Sequence, residues 1–333
     1  GVLRNISRQL PQIKLPDDLS IKYSVPQELV GMLEASYGRE MTELILESFL
    51  KEKKVSAITN TVKITKKELV NLLKSQGITV EDAPYVEDAF ILLDYNYLDD
   101  IEEFSAGMFQ IQDISSMLAG VIASPAKDST VLDVCAAPGG KSIFAALMMS
   151  GTGHVISRDV SERKTGQIEE NVERLGLSNI DVEVSDAAVH NIEDENMADM
   201  LIADLPCSGI GIIGRKPDIK YNVSRDKIDG IIQLQRKILD SIYSDVKHGG
   251  YIVYSTCTLN SQENEENVRY IKSKGFEAVD ITASLPEKLI DDAKRAGKHY
   301  YDKLIKDAAD GMLTLIPGVY ECDGFFVAKL KRI

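Results

Sequence analysis

Residues Thr130–Gly151 read TVLDVCAAPGGKSIFAALMMSG. The first eight residues are a short apolar run rich in β-branched side chains, the signature of a strand buried on both faces. Pro138, Gly139 and Gly140 interrupt it, and GGKSIFAALMMSG then spaces its apolar residues as a helix does, up to a closing glycine. The same unit recurs downstream. GHVISRDV precedes the helical SERKTGQIEENVERLG, IDVEVSD and ADMLIADLPC are further strands, and a long helix is expected over SRDKIDGIIQLQRKILDSIYSDVKHGG with a glycine stop. GYIVYSTCT and SQENEENVRYIKSKG follow as strand and helix, and GMLTLIPGVYECDGFFVAKLKRI reads as two closing strands around a turn. Strand–helix alternation implies an α/β fold: a doubly wound, mostly parallel sheet with right-handed crossovers. Such sheets bind ligands outside the carboxyl ends of their strands.

Upstream the pattern differs. VPQELVGMLEASYG and REMTELILESFLKEK are helical, with Gly38 as a stop between them; SAITNTVKI is β-rich; ITVEDAPYVEDAFILL holds one or two strands. TKKELVNLLKSQG is an amphipathic helix with Thr65 three residues before Glu68, the spacing of a capping box. These features predict a smaller α+β domain over 25–120 ahead of a domain over 121–333, with residues 1–24 a short helix and a Pro/Asp-rich linker.

The 333 residues are 44% hydrophobic, enough for a buried core, and no apolar run approaches a membrane span. The four cysteines and four histidines are scattered without metal-ligand spacing, which points to free thiols in a reducing cytoplasm and to no metal site. The formal charge of −14 alone argues against nucleic acid. Local basic clusters oppose that inference: Lys51–Lys54, Lys63–Lys67, Gly214–Lys220 and Lys329–Arg332. The distribution of charge on the folded surface decides such a question.

The loop Cys135, Ala136, Ala137, Pro138, Gly139, Gly140, Lys141 fails as a phosphate cradle. A P-loop match would need glycine where Cys135 stands, and Pro138 removes a backbone N–H. A loop that lets a ligand approach backbone atoms at a helix N-terminus survives. Asp159 lies 19 residues past Gly140, where an acid grips a ribose in dinucleotide folds. A purine nucleoside with a non-phosphate tail fits both features, and S-adenosylmethionine (SAM) is the candidate; a plain tight turn with a surface Asp is the alternative. Asp186, just past the third strand, is placed either to meet the adenine or to cap a helix.

Asp204, Pro206 and Cys207 end the fourth strand, and Cys257 ends the next. Two thiols and an acid on one ligand-binding edge suit methylation of carbon 5 of a pyrimidine. That carbon is a weak nucleophile until a thiolate adds at carbon 6. A carboxylate beside the ring would accept from the amine edge of cytosine. The helix start NSQENEENV is expected to be only a capped turn, with Asn260 and Glu263 as its box.

These motifs resemble those of the RNA cytosine-5 methyltransferases (the NOL1/NOP2/Sun family). CAAPGGK (Cys135–Lys141), Pro206-Cys207, Thr256-Cys257, FSAGMFQIQDISSMLA (Phe104–Ala119) and DGFFVAKL (Asp323–Leu330) all match, in order, over nearly the whole chain. The resemblance implies a Rossmann-like class I fold, SAM as cofactor bound by Cys135–Lys141, Asp159, Asp186 and Asp204, Cys257 as nucleophile, and Cys207 as the residue that assists release. RKPDIKY (Arg215–Tyr221) and GVLRNISR at the start are similar to the branch acting on bacterial small-subunit rRNA, whose members carry a helical NusB-like domain ahead of that segment. This implies RNA as partner, a 16S rRNA cytosine near position 967 as target, and a monomer. Lys63, Arg215, Lys216 and Lys220 are the expected phosphate contacts. The family's paired arginines are here Gly214 and Arg215, the usual Ala before Pro206 is Leu205, and a common Arg is Ile58. A tRNA substrate, or an rRNA-binding role without catalysis, is the alternative function.

Overall fold

The computed structural model describes residues 2–9 and 17–333. Part of the expected linker, residues 10–16, lies outside the described residues. The N-terminal elements are α1 (Val2–Gln9), α2 (Leu19–Lys22), α3 (Gln27–Phe49), β1 (Val55–Thr59), α4 (Lys66–Ser75), β2 (Thr79–Asp82), β3 (Ala89–Leu93), α5 (Glu102–Ser105), β4 (Phe109–Ile111) and α6 (Ile114–Ala123). Gly38 breaks α3 with φ 74° and ψ 165°, a conformation only glycine adopts cheaply. The Thr65/Glu68 capping box is formed. The stretch ITVEDAPYVEDAFILL, expected to hold one or two strands, holds two, and the antiparallel sheet runs β2-β3-β1-β4. Leu69 and Leu73 of α4 pack on Ala57, Phe90, Leu92 and Phe109 of this sheet. Burying each such large side chain stabilises by about 1.5–3 kcal/mol.

The second sheet is built from β5 (Thr130–Asp133), α7 (Gly140–Met148), β6 (His154–Asp159), α8 (Glu162–Leu175), β7 (Ile180–Val184), β8 (Ala198–Asp204), α9 (Ile219–Asn222), α10 (Arg225–Ile242), β9 (Val246–Thr256), α11 (Glu265–Ser273), β10 (Phe276–Ala278), α12 (Glu287–Ala296), α13 (Lys298–Ala309), β11 (Met312–Leu315) and β12 (Phe325–Arg332). Its order is β7-β6-β5-β8-β9-β12, with β10 and β11 both on the far side of β12. The five strands β5–β9 are parallel, and β12 is antiparallel to β9. Alternate strand residues face two cores. Val131, Val155, Met200, Ile202 and Val253 meet α6, α7, α12 and α13, while Leu132, Ile156, Leu201, Ile252 and Tyr254 meet α10 and α11. The chain winds from β5 out to β7, then returns to β8. The strand order therefore reverses between β5 and β8, which opens a crevice at their carboxyl ends.

One expected boundary moves. The long helix ends at Ile242, and DVKHGG belongs to a 3-10 turn and to β9, because Val246 is fully buried and pairs with Ala198.

The two sheets are laced at the end of α8. Buried Asn60 donates to the carbonyls of Gly107 and Leu175, each at 2.9 Å. Arg174 donates to the carbonyls of Phe104 (2.8 Å) and Phe109 (3.0 Å), with its guanidinium 4.0 Å from the Phe104 ring centre. These bonds satisfy helix-end carbonyls and fix the small sheet against the large one.

Candidate active site

The glycine loop descends from β5 into α7. Gly139 caps α7 with φ 100°, and the Ala137 N–H donates to Asp159 Oδ2 at 3.0 Å. A cleft of about 530 Å³ opens beside this loop, lined by Gln110, Gln112, Asp133, Cys135 to Pro138, Gly140, Lys141, Asp204 and Lys216 among others. Two buried oxygens on its wall, Asp133 Oδ1 and Gln112 Oε1, have no protein partner. Buried polar atoms left without partners are rare and mark places where a ligand or water completes the bonding. Burial pushes the Asp133 carboxyl up to about 7, against the pull of its Ser142 bond (2.7 Å) and of Lys141. Burial also raises the Cys135 thiol, which therefore faces the cleft as a neutral group. A nucleoside-sized ligand fits this lining: Cys135 to Pro138 offer small side chains, and the free oxygens of Asp133 and Gln112 accept hydrogen bonds.

Asp204, the last residue of β8, is held from two sides. Lys141 donates to Oδ2 at 2.6 Å, and Ser255 of β9 donates to Oδ1 at 2.7 Å. Lys141 also reaches Ser116 Oγ (3.0 Å), and its ammonium lies 5.2 Å from the centre of the Phe325 ring. The lysine of the glycine loop thus orients a carboxylate across the β5/β8 crevice.

The two cysteines meet. Cys207 and Cys257 follow neighbouring strands, and their Sγ atoms are 3.2 Å apart; the Cys257 N–H points to Cys207 Sγ at 3.3 Å. Both thiols are free and half-buried. The Cys207 thiol is raised well above its ordinary value by its bond to Cys257, by burial, and by the nearby charges of Glu263 and Asp204. The two cysteine loops are bonded to each other: Ser208 Oγ to Thr258 Oγ1 at 2.7 Å, and the Gly211 N–H to the Cys257 carbonyl at 3.0 Å. A Cβ on Gly211 would sit 2.2 Å from the Gly324 carbonyl oxygen, so only glycine lets the turn after Cys207 approach the segment before β12 this closely.

The remaining sequence candidates distribute unevenly. Asp159 is buried, and its Oδ1 accepts from the Val160 N–H (2.7 Å) and Lys164 (2.9 Å), so it clamps the loop to β6. Asp186 is exposed and accepts from the Ala188 N–H in a turn, off the wall of the main cleft. Lys216 lies on the loop after Cys207 and Lys220 in α9, its ammonium over the exposed ring of Tyr221. Two basic candidates are engaged within the protein. Lys63 donates to the carbonyls of Ala106 (2.9 Å) and Arg174 (3.3 Å) and braces the end of α8 instead of standing free for phosphate. Arg215 is bound by Asp113 at 2.6 Å and by Asp323, which also pairs with Lys53 at 2.9 Å. Burial opposes ionisation of Asp323, yet Arg215 and Lys53 outweigh it and hold that carboxyl below its ordinary value.

The capping box at Asn260 and Glu263 is also corrected. Glu263 is fully buried and turns toward the Cys207 loop, while α11 begins two residues later with no side-chain cap. Gln235, Asn264 and Asn267 are buried around it. The signal was the density of Asn, Gln and Glu directly after an apolar strand. A solvated helix start does not need seven such residues within eight positions.

A mostly parallel sheet with this glycine loop and crevice defines a SAM-dependent methyltransferase of the Rossmann-like class I fold. Residues 120–331 match the family described as 16S rRNA methyltransferase RsmB/F, and residues 25–96 match its ferredoxin-like domain. The chain belongs to the RsmB/F methyltransferase family. The probable ribosomal RNA small subunit methyltransferase B of Bacillus subtilis is 36% identical over all of this chain and 73% of its own length. Ribosomal RNA small subunit methyltransferase F of Shewanella amazonensis is 33% identical over 84% of this chain and 58% of that protein. The chain thus spans little more than half of the latter. The crystal structure of NSun6 from Pyrococcus horikoshii with SFG shares the fold, with a TM-score of 0.77 over 92% of this chain and 98% of that one at 20% identity.

Proposed function

We propose that this chain methylates carbon 5 of a cytosine in small-subunit rRNA, with the position equivalent to 967 in 16S rRNA as the target. The observation that carries the reading is the pair of thiols 3.2 Å apart at the ends of β8 and β9, with Asp204 on the same edge. SAM, held by the Cys135–Lys141 loop with Asp133 and Asp159, supplies the methyl group when bound. Cys257 adds through sulfur to carbon 6 of the base, and the displaced π electrons make carbon 5 nucleophilic. Asp204, oriented by Lys141 and Ser255, accepts from the exocyclic amine and so favours cytosine over uracil. Release requires that the proton on carbon 5 leave and that the C6–S electron pair return to Cys257, restoring the double bond. Cys207 stands beside that sulfur and assists. The target base must leave its stack to reach this edge, which single-stranded loops make inexpensive.

The test is transfer of labelled methyl from SAM to small-subunit RNA, followed by nucleoside analysis. The expected product is 5-methylcytosine. Label on another base, or none with a folded protein, overturns the reading.

A further inference from the structure

The geometry points to Glu263 as a positioning residue that fixes Cys207 against Cys257 for the release step. This rests on the function proposed above and deepens it. Glu263 is fully buried, yet neither of its oxygens bonds to a thiol; it acts through the residue after Cys207. Its Oε2 accepts from the Ser208 N–H at 2.8 Å and its Oε1 from the Ser208 hydroxyl at 2.6 Å. The Ser208 hydroxyl is also 2.7 Å from that of Thr258, the residue after Cys257. One carboxylate therefore ties together the two positions that follow the two thiols.

Glu263 is itself fixed. Asn260 donates to Oε1 at 3.0 Å and Gln235 to Oε2 at 3.4 Å. The same Gln235 amide donates to the Pro206 carbonyl at 2.9 Å, and Asn267 sets its orientation by donating to its oxygen at 2.8 Å. Tyr254 of β9 donates to the Glu263 carbonyl, and Thr256 and Asn264 are bonded at 2.5 Å. The donors converging on Glu263 match a carboxylate and mismatch an amide. The Nε2 of a glutamine would face either Asn260 Nδ2 or the donors on the other side. A buried carboxylate that spends both oxygens on one loop residue defines that loop to within a fraction of an ångström, and misplacement of a reacting group by about 1 Å costs on the order of 100-fold in rate.

The experiment is Glu263→Gln in the full chain, with SAM and small-subunit RNA, read on a denaturing gel beside Cys207→Ala. The expected result is a persistent protein–RNA adduct in Glu263→Gln, as in Cys207→Ala, with kcat lowered roughly 10- to 100-fold and KM for RNA little changed. Ser208→Ala, which keeps the N–H bond and loses the hydroxyl bond, should trap a smaller fraction. It gives the same readout if Glu263→Gln does not fold. Full turnover without adduct in the folded variants overturns the inference, and so does loss of adduct formation in a variant that still binds SAM, since that places the defect before release. Failure of Cys207→Ala to trap an adduct overturns the division of roles between the cysteines instead, which keeps the two failures distinct.

Discussion

The cleft beside the glycine loop and the cysteine loops beyond it lie on one sheet edge, yet the carboxylates at their centres, Asp133 and Glu263, are bonded differently. In the cleft, Asp133 Oδ1 and Gln112 Oε1 are buried without protein partners, and Asp133 is pushed toward neutrality. Around the cysteines, both oxygens of Glu263, the Ser208 hydroxyl and N–H, and the Pro206 carbonyl are all bonded within the protein. A site that awaits a ligand carries unmet bonding capacity, whereas a site that must hold two reacting atoms in register spends its bonds on itself. Binding and positioning can therefore be broken separately.

The largest effect falls on the positioned side. Cys257→Ala removes the only atom that can add to carbon 6 in the proposed reaction, and methyl transfer should fall by at least about 10³-fold while SAM binding, measured by calorimetry, stays unchanged. Parental activity in that variant would separate the thiol pair from the chemistry. Next comes the junction of the two regions, Asp204. Asp204→Asn keeps the shape but gives Lys141 a neutral partner and turns one acceptor into a donor. A loss of about 10²–10³-fold in kcat/KM for cytosine-containing RNA is expected, because a buried polar group left mismatched discriminates strongly. Equal rates on both RNAs, target cytosine and target uracil, in the parent would break the role given to Asp204.

How much of this was legible in the sequence follows the same division. Strand–helix alternation and the short glycine loop are local signals, so the parallel sheet, its winding and the ligand edge could be read from periodicity and turn chemistry alone. The pairing of Cys207 with Cys257 could be anticipated from strand ends, since parallel neighbours bring their carboxyl ends together. The contacts that required the fold were long-range. Lys63 looked like a free cation in a basic run, but α8 ends beside it and its carbonyls capture the ammonium. Arg215 looked like a phosphate contact, but Asp113 and Asp323, remote in the chain, close around it. Glu263 had the spacing of a helix cap, and only the approach of the Cys207 loop reveals its other use. Lys141, read in the sequence as part of the cofactor loop, bonds to Asp204.

The third effect is on the binding side and depends on pH. A carboxyl raised from 3.8 to about 7 holds its proton more tightly folded than unfolded, so ionising Asp133 costs stability as pH rises through that window. The ligand-free protein should therefore lose a few kcal/mol of unfolding free energy from this group between about pH 4 and 7, and Asp133→Asn should be spared that loss. The stability difference between Asp133→Asn and the parent should grow across that interval and level off above it, measured by denaturant unfolding at each pH. Added SAM, a cation, should narrow the difference at pH 8. A difference independent of pH would mean that Asp133 is already compensated by its neighbours.

The smallest effects separate the basic residues that the fold has captured from those it leaves at the surface. Lys216 is exposed on the loop after Cys207 and Lys220 is half-buried in α9, and each replaced by Ala should weaken RNA binding severalfold and lower the slope of log K against log salt by about 1 if it neutralises one phosphate. Lys63→Ala should leave that slope unchanged and instead cost about 1 kcal/mol of stability, the net worth of the hydrogen bonds it gives to the carbonyls of Ala106 and Arg174. Filter binding across a salt series, paired with thermal unfolding, reads both quantities on the same samples. A salt slope that falls with Lys63→Ala and not with Lys216→Ala would move the RNA path from the loop after Cys207 to the face of the smaller sheet. An acidic chain binds a polyanion through where its free cations stand, and in this fold that depends on which lysines the carbonyls and carboxylates have not already taken.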